Sequence, residues 1–142
     1  MDLQIRRIDK DIPLPSYGTA GAAALDCYVR ETVTIPPRSI GYAFLNFCLK
    51  VPKGHFVILA ARSSLHKRGL MFANGIGIMD EDYAGDEDEY RAILYNFTDE
   101  PVEISRMDRI AQMVVMPYDK VTLNEVETLG GESRGGLGTT GI

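Results

Sequence analysis

A basic turn is the first stretch of the sequence whose side chains could do chemistry. Residues 61–68 read Ala-Arg-Ser-Ser-Leu-His-Lys-Arg, which places three cations and two hydroxyls on eight residues without an acid. If Ser63 and Ser64 begin a helix, free backbone N–H groups, hydroxyls and the forked guanidinium of Arg62 converge on one anion. The segment therefore predicts a phosphate site, and a solvent-exposed basic turn is the alternative.

A run of carboxylates follows at residues 80–89, where seven of the ten residues are acidic. It begins like a calcium-binding loop, but Ala84 and Arg91 stand where that loop needs an oxygen ligand and its bidentate Glu, which excludes an EF-hand. Asp80 follows the apolar residues 76–79, and a half-buried carboxylate at the tip of a hairpin could orient water as a general base. Residues 86–89 fit a solvated loop.

A glycine-rich segment, residues 130–142, forms the third stretch. Its Gly136, Gly138 and Gly141 have the spacing of a dinucleotide-binding turn, but that turn needs a preceding strand and a following helix that the sequence does not provide. What remains is a strip whose backbone N–H groups can wrap around phosphates. Such a strip is either disordered or ordered by a ligand, and it could reach a neighbouring subunit.

Together, the basic turn, the carboxylate and the glycine-rich strip indicate a polyphosphate ligand. Phosphoryl chemistry depends mostly on positioning and charge neutralisation, usually with Mg²⁺ on the phosphates. We therefore expect these three stretches to bracket one phosphate-bearing ligand.

Short β-rich runs between turn signals must position these side chains. The runs are residues 32–35, 42–51, 56–60, 92–96 and 121–126. Their rhythm predicts an all-β sandwich or barrel with few helices. Residues 102–116 fit a helical stripe as well as a strand, and we favour a strand for their second half, which reads as a buried run before Pro117. A short helix is expected at residues 63–68, ended by Gly69.

Composition predicts one compact domain, residues 1–142, with residues 130–142 as a flexible tail. The 142 residues are 45% hydrophobic and 25% charged, and the net charge of −5 disfavours direct binding to nucleic acid. The longest uncharged stretch, residues 12–25, is too short to span a membrane. A mixed-charge start and two cysteines, expected as buried reduced thiols, favour a cytoplasmic location.

Five segments in order resemble the motifs of the trimeric dUTP pyrophosphatases, the dUTPases. They are Ala-Ala-Leu-Asp at 23–26, Ala-Arg-Ser-Ser-Leu at 61–65, residues 74–85 ending in Gly-Ile-Met-Asp-Glu-Asp-Tyr-Ala-Gly, Asp-Arg-Ile-Ala-Gln at 108–112, and Arg-Gly-Gly-Leu-Gly-Thr-Thr-Gly at 134–141. The resemblance implies an all-β, jelly-roll-like β-barrel or sandwich of the β-clip type. It also implies a homotrimer with active sites at subunit interfaces, each closed by a C-terminal tail.

By this resemblance, the reaction is hydrolysis of dUTP to dUMP and pyrophosphate, which limits uracil incorporation into DNA and supplies dUMP. Asp80 would position the water that attacks the α-phosphorus in line, and Asp26 would hold Mg²⁺ through coordinated water. The residues implied to bind the phosphates are Arg62, Ser63, Ser64 and Gln112, with Arg134, Gly138, Thr139 and Thr140 of the tail.

The resemblance also implies how the nucleoside is recognised. Asn74 and the backbone of Gly77, Ile78, Met79 and Asp80 would read the uracil edge in a hairpin pocket too tight for the methyl group of thymine. Tyr83 would pack against the sugar where a ribose 2′-OH would lie. Arg109 is assigned to a structural ion pair instead of the substrate.

The sequence departs from the family pattern at the tail. Leu137 stands where the family has a Phe that stacks on uracil, so it can cover the base but offers no aromatic face. The tail is also a residue or two shorter, and residues 86–91 look inserted before the next strand. We hypothesise that Tyr90 or Arg91 in this insertion supplies the missing stacking group.

Two alternatives remain at the level of sequence. A dCTP deaminase, or a bifunctional deaminase, shares the fold and the Arg-Ser-Ser-Leu turn, but its acid/base Glu would stand where this chain has Ile93. The second alternative is a regulatory protein that binds dUTP at the same site and uses the acidic insertion to dock a partner.

Overall fold

The computed structural model describes residues 1–136, and within this range the regular secondary structure is almost entirely β-strand. In chain order the strands are β1 (Gln4–Arg7), β2 (Ser16–Tyr17), β3 (Leu25–Tyr28), β4 (Val33–Ile35), β5 (Ile40–Phe44), β6 (Phe47–Lys50), β7 (His55–Ala61), β8 (Leu70–Phe72), β9 (Gly77–Met79), β10 (Arg91–Asn96), β11 (Val102–Ile104) and β12 (Arg109–Pro117). The helical part of this range is a 3-10 turn, Leu65–Arg68. The expected all-β class with few helices is confirmed.

The strands pair antiparallel in four sheets. The largest has the order β2-β3-β12-β7-β9, and the others are β5-β10-β8, β1-β6 and β11-β4. Strand β12 lies at the centre of the large sheet, where Gln112 stands opposite Asp26 of β3 and Ala60 of β7. This register places Asp26, Ala60 and Gln112 side by side in one sheet, although they are far apart in the sequence.

A single apolar cluster joins the sheets. It includes Cys27 of β3, Leu49 of β6, Leu59 of β7, Leu94 of β10 and Ile104 of β11, all at most 2% exposed. Burying a side chain of the size of Leu or Ile contributes about 1.5–3 kcal/mol, so this shared core stabilises the sheets as one unit.

Gly69 ends the 3-10 turn as the sequence predicts. Its φ of 78° lies in the left-handed region that favours glycine, and its N–H donates to the carbonyl of His66. A Cβ at this position would also lie 2.3 Å from Cγ2 of Thr98. The turn is shorter than the expected helix over residues 63–68, because Ser64 precedes it and makes no side-chain capping bond.

Two strand predictions need correction. Residues 42–51 are not one run, because Asn46 adopts a φ of 73° and separates β5 from β6. Residues 121–126 form no strand; Val121 and Leu123 are 78% and 91% exposed and no described strand pairs with them. Residues 102–116 fold as β11 and most of β12, so the strand expected for their second half is confirmed.

The two cysteines are free and buried, as expected. Burial raises the pKa of the Cys27 thiol to about 12, which keeps it protonated and unreactive. Within residues 1–136 there is no helix with the length and apolar character needed to cross a membrane.

Candidate active site

A pocket of about 320 Å³ opens between residues of the two larger sheets, and we call it the β9 pocket. Leu59 of β7 lines it from one sheet, and Phe72 of β8 and Ile93 of β10 line it from the other. The residues that the sequence assigns to the base, the sugar and the attacking water line the same pocket, namely Asn74, Gly77, Ile78, Met79, Asp80 and Tyr83. Tertiary structure therefore brings these predicted residues together.

The turn between β8 and β9 shapes the mouth of the pocket. Gly75 takes a φ of 73°, and its N–H donates to the carbonyl of Phe72 at 3.2 Å. Strand β8 pairs with β10 whereas β9 pairs with β7. The expected hairpin is therefore a turn that connects two sheets, and Asn74 stands at their junction.

Strand β9 is at the edge of the large sheet. Its Gly77, Ile78 and Met79 pair with β7 on one side, and among residues 1–136 no strand pairs with the other side. Gly77 stands opposite Leu59, and a Cβ at Gly77 would lie 3.3 Å from Cβ of Leu59. Glycine thus permits close packing here, while the free edge presents unpaired backbone N–H and C=O groups.

Asp80 follows β9 directly and is exposed, so the expectation that the preceding apolar residues half-bury it is wrong. It lines the β9 pocket and also a neighbouring cavity of about 430 Å³, which Phe56 and Tyr118 line as well. The N–H of Tyr83 donates to the carbonyl of Asp80 at 3.2 Å, which closes a tight turn after the strand. The Asp80 carboxylate therefore stands on the rim between two open spaces.

Glu81 holds the other side of this turn, a role that its place in an acidic run did not predict. Its carboxylate accepts hydrogen bonds from the Gly54 N–H at 2.8 Å and from the Tyr118 hydroxyl at 2.9 Å. The bond from Gly54 and then that from Tyr118 lower the pKa of Glu81. The turn that carries Asp80 is thus tied to the β6–β7 turn and to the end of β12.

A second pocket, of about 310 Å³, contains Asp26, Arg62, Ser63 and Gln112, and we call it the Asp26 pocket. The Arg62 Nε lies 2.9 Å from Oδ1 of Asp26, whose side chain is only 10% exposed. Gln112 donates from Nε2 to the carbonyl of Ala61 at 2.9 Å. Four residues assigned by sequence to phosphate or metal binding therefore share one pocket.

Arg109 also contacts Asp26, with Nη1 3.3 Å from Oδ2. Arg109 forms an ion pair as expected, but its partner is Asp26 and not the adjacent Asp108, which pairs with Arg68 at 2.8 Å. Ser64 is exposed beside the pocket at the start of the 3-10 turn. The predicted helix start that would aim N–H groups at an anion is therefore reduced to a short turn.

The metal-binding capacity of the Asp26 pocket is limited. Within residues 1–136, no group of three or more His, Cys, Asp or Glu side chains is arranged to hold an ion. Mg²⁺, however, commonly keeps several waters and binds through one or two carboxylates together with substrate phosphates. The lone carboxylate of Asp26 fits an ion that arrives on phosphates and is held through water.

The β9 pocket and the Asp26 pocket share no lining residue. Leu59 belongs to one and Arg62 to the other, although both lie on or just after β7. In a single chain, the predicted base site and the predicted phosphate site therefore lie in two separate pockets.

Comparison with known proteins identifies the family. The dUTPase family model matches residues 10–141. The chain belongs to the dUTPase family. Among curated relatives, the deoxyuridine 5′-triphosphate nucleotidohydrolase of Dictyoglomus turgidum is 40% identical over 97% of both chains. The protein of the same name from Helicobacter pylori (strain P12) is 35% identical over 100% of this chain and 98% of its own.

Solved structures agree with this dUTPase fold. The crystal structure of dUTPase from Streptococcus mutans has a TM-score of 0.76 and 28% identity, covering 83% of this chain and 98% of its own. The dUTPase of Staphylococcus bacteriophage 80alpha, solved with dUPNHPP, has a TM-score of 0.84 and 21% identity over 99% of both chains. The jelly-roll-like dUTPase fold inferred from the sequence is therefore confirmed.

Tyr90, one of the two residues hypothesised to stack on uracil in this dUTPase, does not have that role. Tyr90 is fully buried, with its ring centroid 4.9 Å from that of Phe47, so the prediction that it covers a ligand is wrong. Arg91 is exposed and lines the β9 pocket, and its guanidinium lies 5.4 Å from the centre of the Tyr42 ring. Tyr90 directly precedes β10, and the alternation of buried and exposed residues continues from it into the strand, because neighbouring residues of an extended chain face opposite sides.

The acidic insertion of this dUTPase is only partly the solvated loop that the sequence predicts. Glu89 is 11% exposed and accepts two hydrogen bonds from Arg30, at 2.8 and 3.1 Å, and a third from the Asn46 N–H at 3.0 Å. Asp88 accepts from the Gly85 N–H at 2.7 Å. Asp86 and Glu87 are exposed, so the negative charge that the insertion presents to solvent comes mainly from its first half.

The tail predictions lie mostly beyond the described residues. Leu137, Gly138, Thr139 and Thr140 fall outside the range 1–136. Arg134 is exposed in the irregular segment after β12 and is not among the residues that line either pocket.

The position of Ile93 bears on the deaminase alternative. Ile93 of β10 lines the β9 pocket, so the acid/base Glu expected there in a deaminase is replaced by an apolar side chain. The family assignment and this residue both favour the dUTPase function.

Proposed function

We propose that this protein is a dUTP diphosphatase that hydrolyses dUTP to dUMP and pyrophosphate. One observation carries the proposal beyond family membership. The residues implied to read uracil, pack the deoxyribose and position water line a single pocket with Asp80 at its rim. A cytoplasmic location is part of the proposal, supported by two free thiols that fit a reducing compartment.

Asp80 is proposed to act on the attacking water. Its exposed carboxylate, between the β9 pocket and the adjoining cavity, has room to accept a hydrogen bond from a water molecule. The water oxygen attacks the α-phosphorus in line and forms a new P–O bond. Pyrophosphate leaves with the electrons of the bridging bond, and the water proton passes to Asp80.

The free edge of β9 is proposed to select the base. Uracil presents alternating hydrogen-bond acceptors and a donor along one edge, and an unpaired strand offers N–H and C=O groups in the same plane. Gly77 is paired with Leu59 of β7 on its other side, so the base would lie against the free edge of a strand that the sheet holds in place. Asn74 at the adjoining turn adds a side-chain amide, and Tyr83 bounds the sugar side.

The Asp26 pocket is proposed to hold the phosphates. Arg62, Ser63, Ser64 and Gln112 supply a guanidinium, hydroxyls and an amide. Mg²⁺ on the phosphates, held through water by Asp26, would neutralise charge and polarise the α-phosphorus. Within the chain, Arg62 and Arg109 balance the Asp26 carboxylate when no ligand is bound.

A homotrimer is proposed to complete the site. The β9 pocket of one subunit would combine with the Asp26 pocket of a neighbour, because the two pockets share no lining residue within a chain. The segment after β12 also exposes large apolar side chains, including Leu123 at 91% and Leu129 at 96%, which a neighbouring subunit could cover. The tail with Arg134, Leu137, Gly138, Thr139 and Thr140 would close over the bound nucleotide.

Arg91 remains the candidate for stacking on uracil. Its planar guanidinium at the edge of the β9 pocket can lie against a π-system, as it already does near Tyr42. In this role it would replace the aromatic ring that Leu137 cannot offer.

Pyrophosphate release with Mg²⁺ from dUTP, dCTP, dTTP and UTP tests the proposal. We expect turnover of dUTP alone and a loss of roughly 100-fold or more in kcat for Asp80→Asn. Asp86→Asn removes the same charge from the exposed insertion and serves as the matched control, with wild-type turnover. Tight dUTP binding without turnover would favour a regulatory protein instead, and ammonia release from dCTP would favour a deaminase.

A further inference from the structure

The acidic insertion does more than extend a loop, because it contacts the pocket residue Tyr83 in two ways. The Tyr83 hydroxyl donates to the carbonyl of Glu89 at 3.3 Å. The Tyr83 ring lies 5.9 Å from the ring of Tyr90, centroid to centroid, tilted by 41°. Tyr83 is therefore held by two consecutive residues of the insertion.

Those two residues are themselves anchored. The Tyr90 N–H donates to the carbonyl of Phe47, and the Tyr90 carbonyl accepts from Leu45, both at 2.9 Å. Its ring is fully buried and packs 4.9 Å from Phe47. The support of Tyr83 thus rests on the protein core.

Glu89 is anchored by its side chain. Two hydrogen bonds from Arg30 and one from the Asn46 N–H hold its carboxylate in a largely buried place. Its carbonyl, which receives the Tyr83 hydroxyl, therefore has a defined position. A buried charge with three partners is a rigid support, since moving it would leave charged groups unpaired.

We propose that Glu89 and Tyr90 are positioning residues that hold Tyr83 against the sugar and so set the preference of the enzyme for a deoxyribonucleotide over a ribonucleotide. This inference rests on the proposed function, in which Tyr83 bounds the sugar side of the β9 pocket. The Tyr83 ring can exclude a ribose 2′-OH only if it keeps its position when a ribonucleotide binds. A tyrosine held at its hydroxyl by Glu89 and against the tilted ring of Tyr90 is restrained from rotating away to admit a 2′-OH.

Tyr90 and Tyr83 each allow a conservative change. Tyr83→Phe keeps the ring and removes the donor to Glu89, and Tyr90→Leu removes the supporting ring while keeping the site apolar. Tyr90→Phe is the matched control, because it keeps the ring and the hydroxyl of Tyr90 bonds to no described residue. Tyr83→Ala removes the ring that is proposed to pack against the sugar.

The measured quantity is the ratio of kcat/KM for dUTP to kcat/KM for UTP, on one sample of each variant. An unfolded fraction lowers both values equally and cancels in the ratio, so loss of stability alone does not move it. We expect Tyr83→Phe and Tyr90→Leu each to lower the ratio roughly 5-fold, as one net hydrogen bond or packing contact would. Tyr90→Phe should keep the wild-type ratio.

The outcomes separate the inference from the proposed function. If Tyr83→Ala lowers the ratio while Tyr83→Phe and Tyr90→Leu keep it, the insertion does not position Tyr83 and the inference is wrong. If Tyr83→Ala also keeps the ratio, Tyr83 does not face the sugar. A wild-type protein that fails to cleave dUTP overturns both. If Tyr90→Leu does not fold, the kcat/KM ratio of Tyr83→Phe alone tests the inference.

Discussion

Asp26 and Arg62 form an ion pair, with Nε 2.9 Å from Oδ1, inside the pocket proposed to receive the phosphates. The two residues have different proposed partners, since Asp26 would hold hydrated Mg²⁺ and Arg62 a phosphate. In the free protein they neutralise each other, and Arg109 adds a second cation at 3.3 Å. In the proposed complex, binding of the nucleotide with its ion would replace the Asp26–Arg62 ion pair with one contact from each residue to the ligand.

Removing the carboxylate should weaken the use of Mg²⁺. For Asp26→Asn we expect a higher Mg²⁺ concentration for half-maximal dUTP hydrolysis, because the remaining amide holds hydrated cations poorly and leaves two arginines unpaired. Titration of dUTP hydrolysis against Mg²⁺ measures this half-maximal concentration. Asp99→Asn, which breaks the exposed pair with Arg38, is the control and should behave as wild type. An unchanged titration for Asp26→Asn would contradict the metal role.

Mixing two inactive variants should restore activity if the site is shared between subunits. Asp80→Asn damages the β9 pocket and Gln112→Ala the Asp26 pocket, and these pockets share no residue. After dissociation and reassembly of an equal mixture, we expect about a quarter of the sites to be intact, from random pairing of neighbours in a ring. Pyrophosphate release by the mixture gives the fraction. No recovery, from subunits shown to exchange, would mean that each site lies within one chain.

Replacing Arg91 should weaken binding of the base. We expect Arg91→Ala to raise KM for dUTP roughly 5-fold with little change in kcat, the equivalent of about 1 kcal/mol for a cation over a π-system. Arg91→Lys is the matched control for charge, because it keeps the cation but not the planar face. If Arg91→Ala leaves KM unchanged, Arg91 does not stack on uracil, and if Arg91→Lys behaves as wild type, charge alone accounts for the effect.

The Glu81 contact should give a pH-dependent contribution to stability. Its pKa in the folded protein is lowered from 4.5, chiefly by the Gly54 N–H, so the ionised form stabilises the fold above that value and the contribution is lost as pH falls below it. We expect Glu81→Gln to lower the Tm at pH 7 and the difference from wild type to shrink toward pH 3. Thermal unfolding across this range tests it, with the exposed Glu87→Gln as control. A pH-independent difference would assign the effect to the hydrogen bonds and not to the charge.

A methyl group at Gly77 should disturb the base site. The Cβ of Gly77→Ala would lie 3.3 Å from Leu59, so β9 must shift by a few tenths of an ångström. We expect a higher KM for dUTP and a small loss of stability, of the order of 1 kcal/mol. Gly21→Ala is the control, since beyond its two chain neighbours no atom of the described residues would lie within 4 Å of its Cβ. Equal KM values for the two variants would show that β9 tolerates the shift.

The sequence by itself determined the fold class, and its resemblance to the dUTPases named the candidate site residues. Turn residues between β-rich runs predicted an all-β domain, and Gly69 stops the 3-10 turn as expected because only a left-handed conformation satisfies the geometry there. The motif around Asp80 lies in one segment, so the resemblance to the dUTPases could assign its residues to one site, and the structure places them at one pocket.

Only the tertiary structure decided which side chains face the pocket and which pair across the sheets. Tyr90 and Arg91 are adjacent, yet one is in the core and the other at the pocket, because strand register and not residue type selects the face. Arg109 pairs with Asp26, 83 positions away in the chain, through the register of β12 with β3. Such contacts depend on which strands become neighbours, and that is a property of the whole fold.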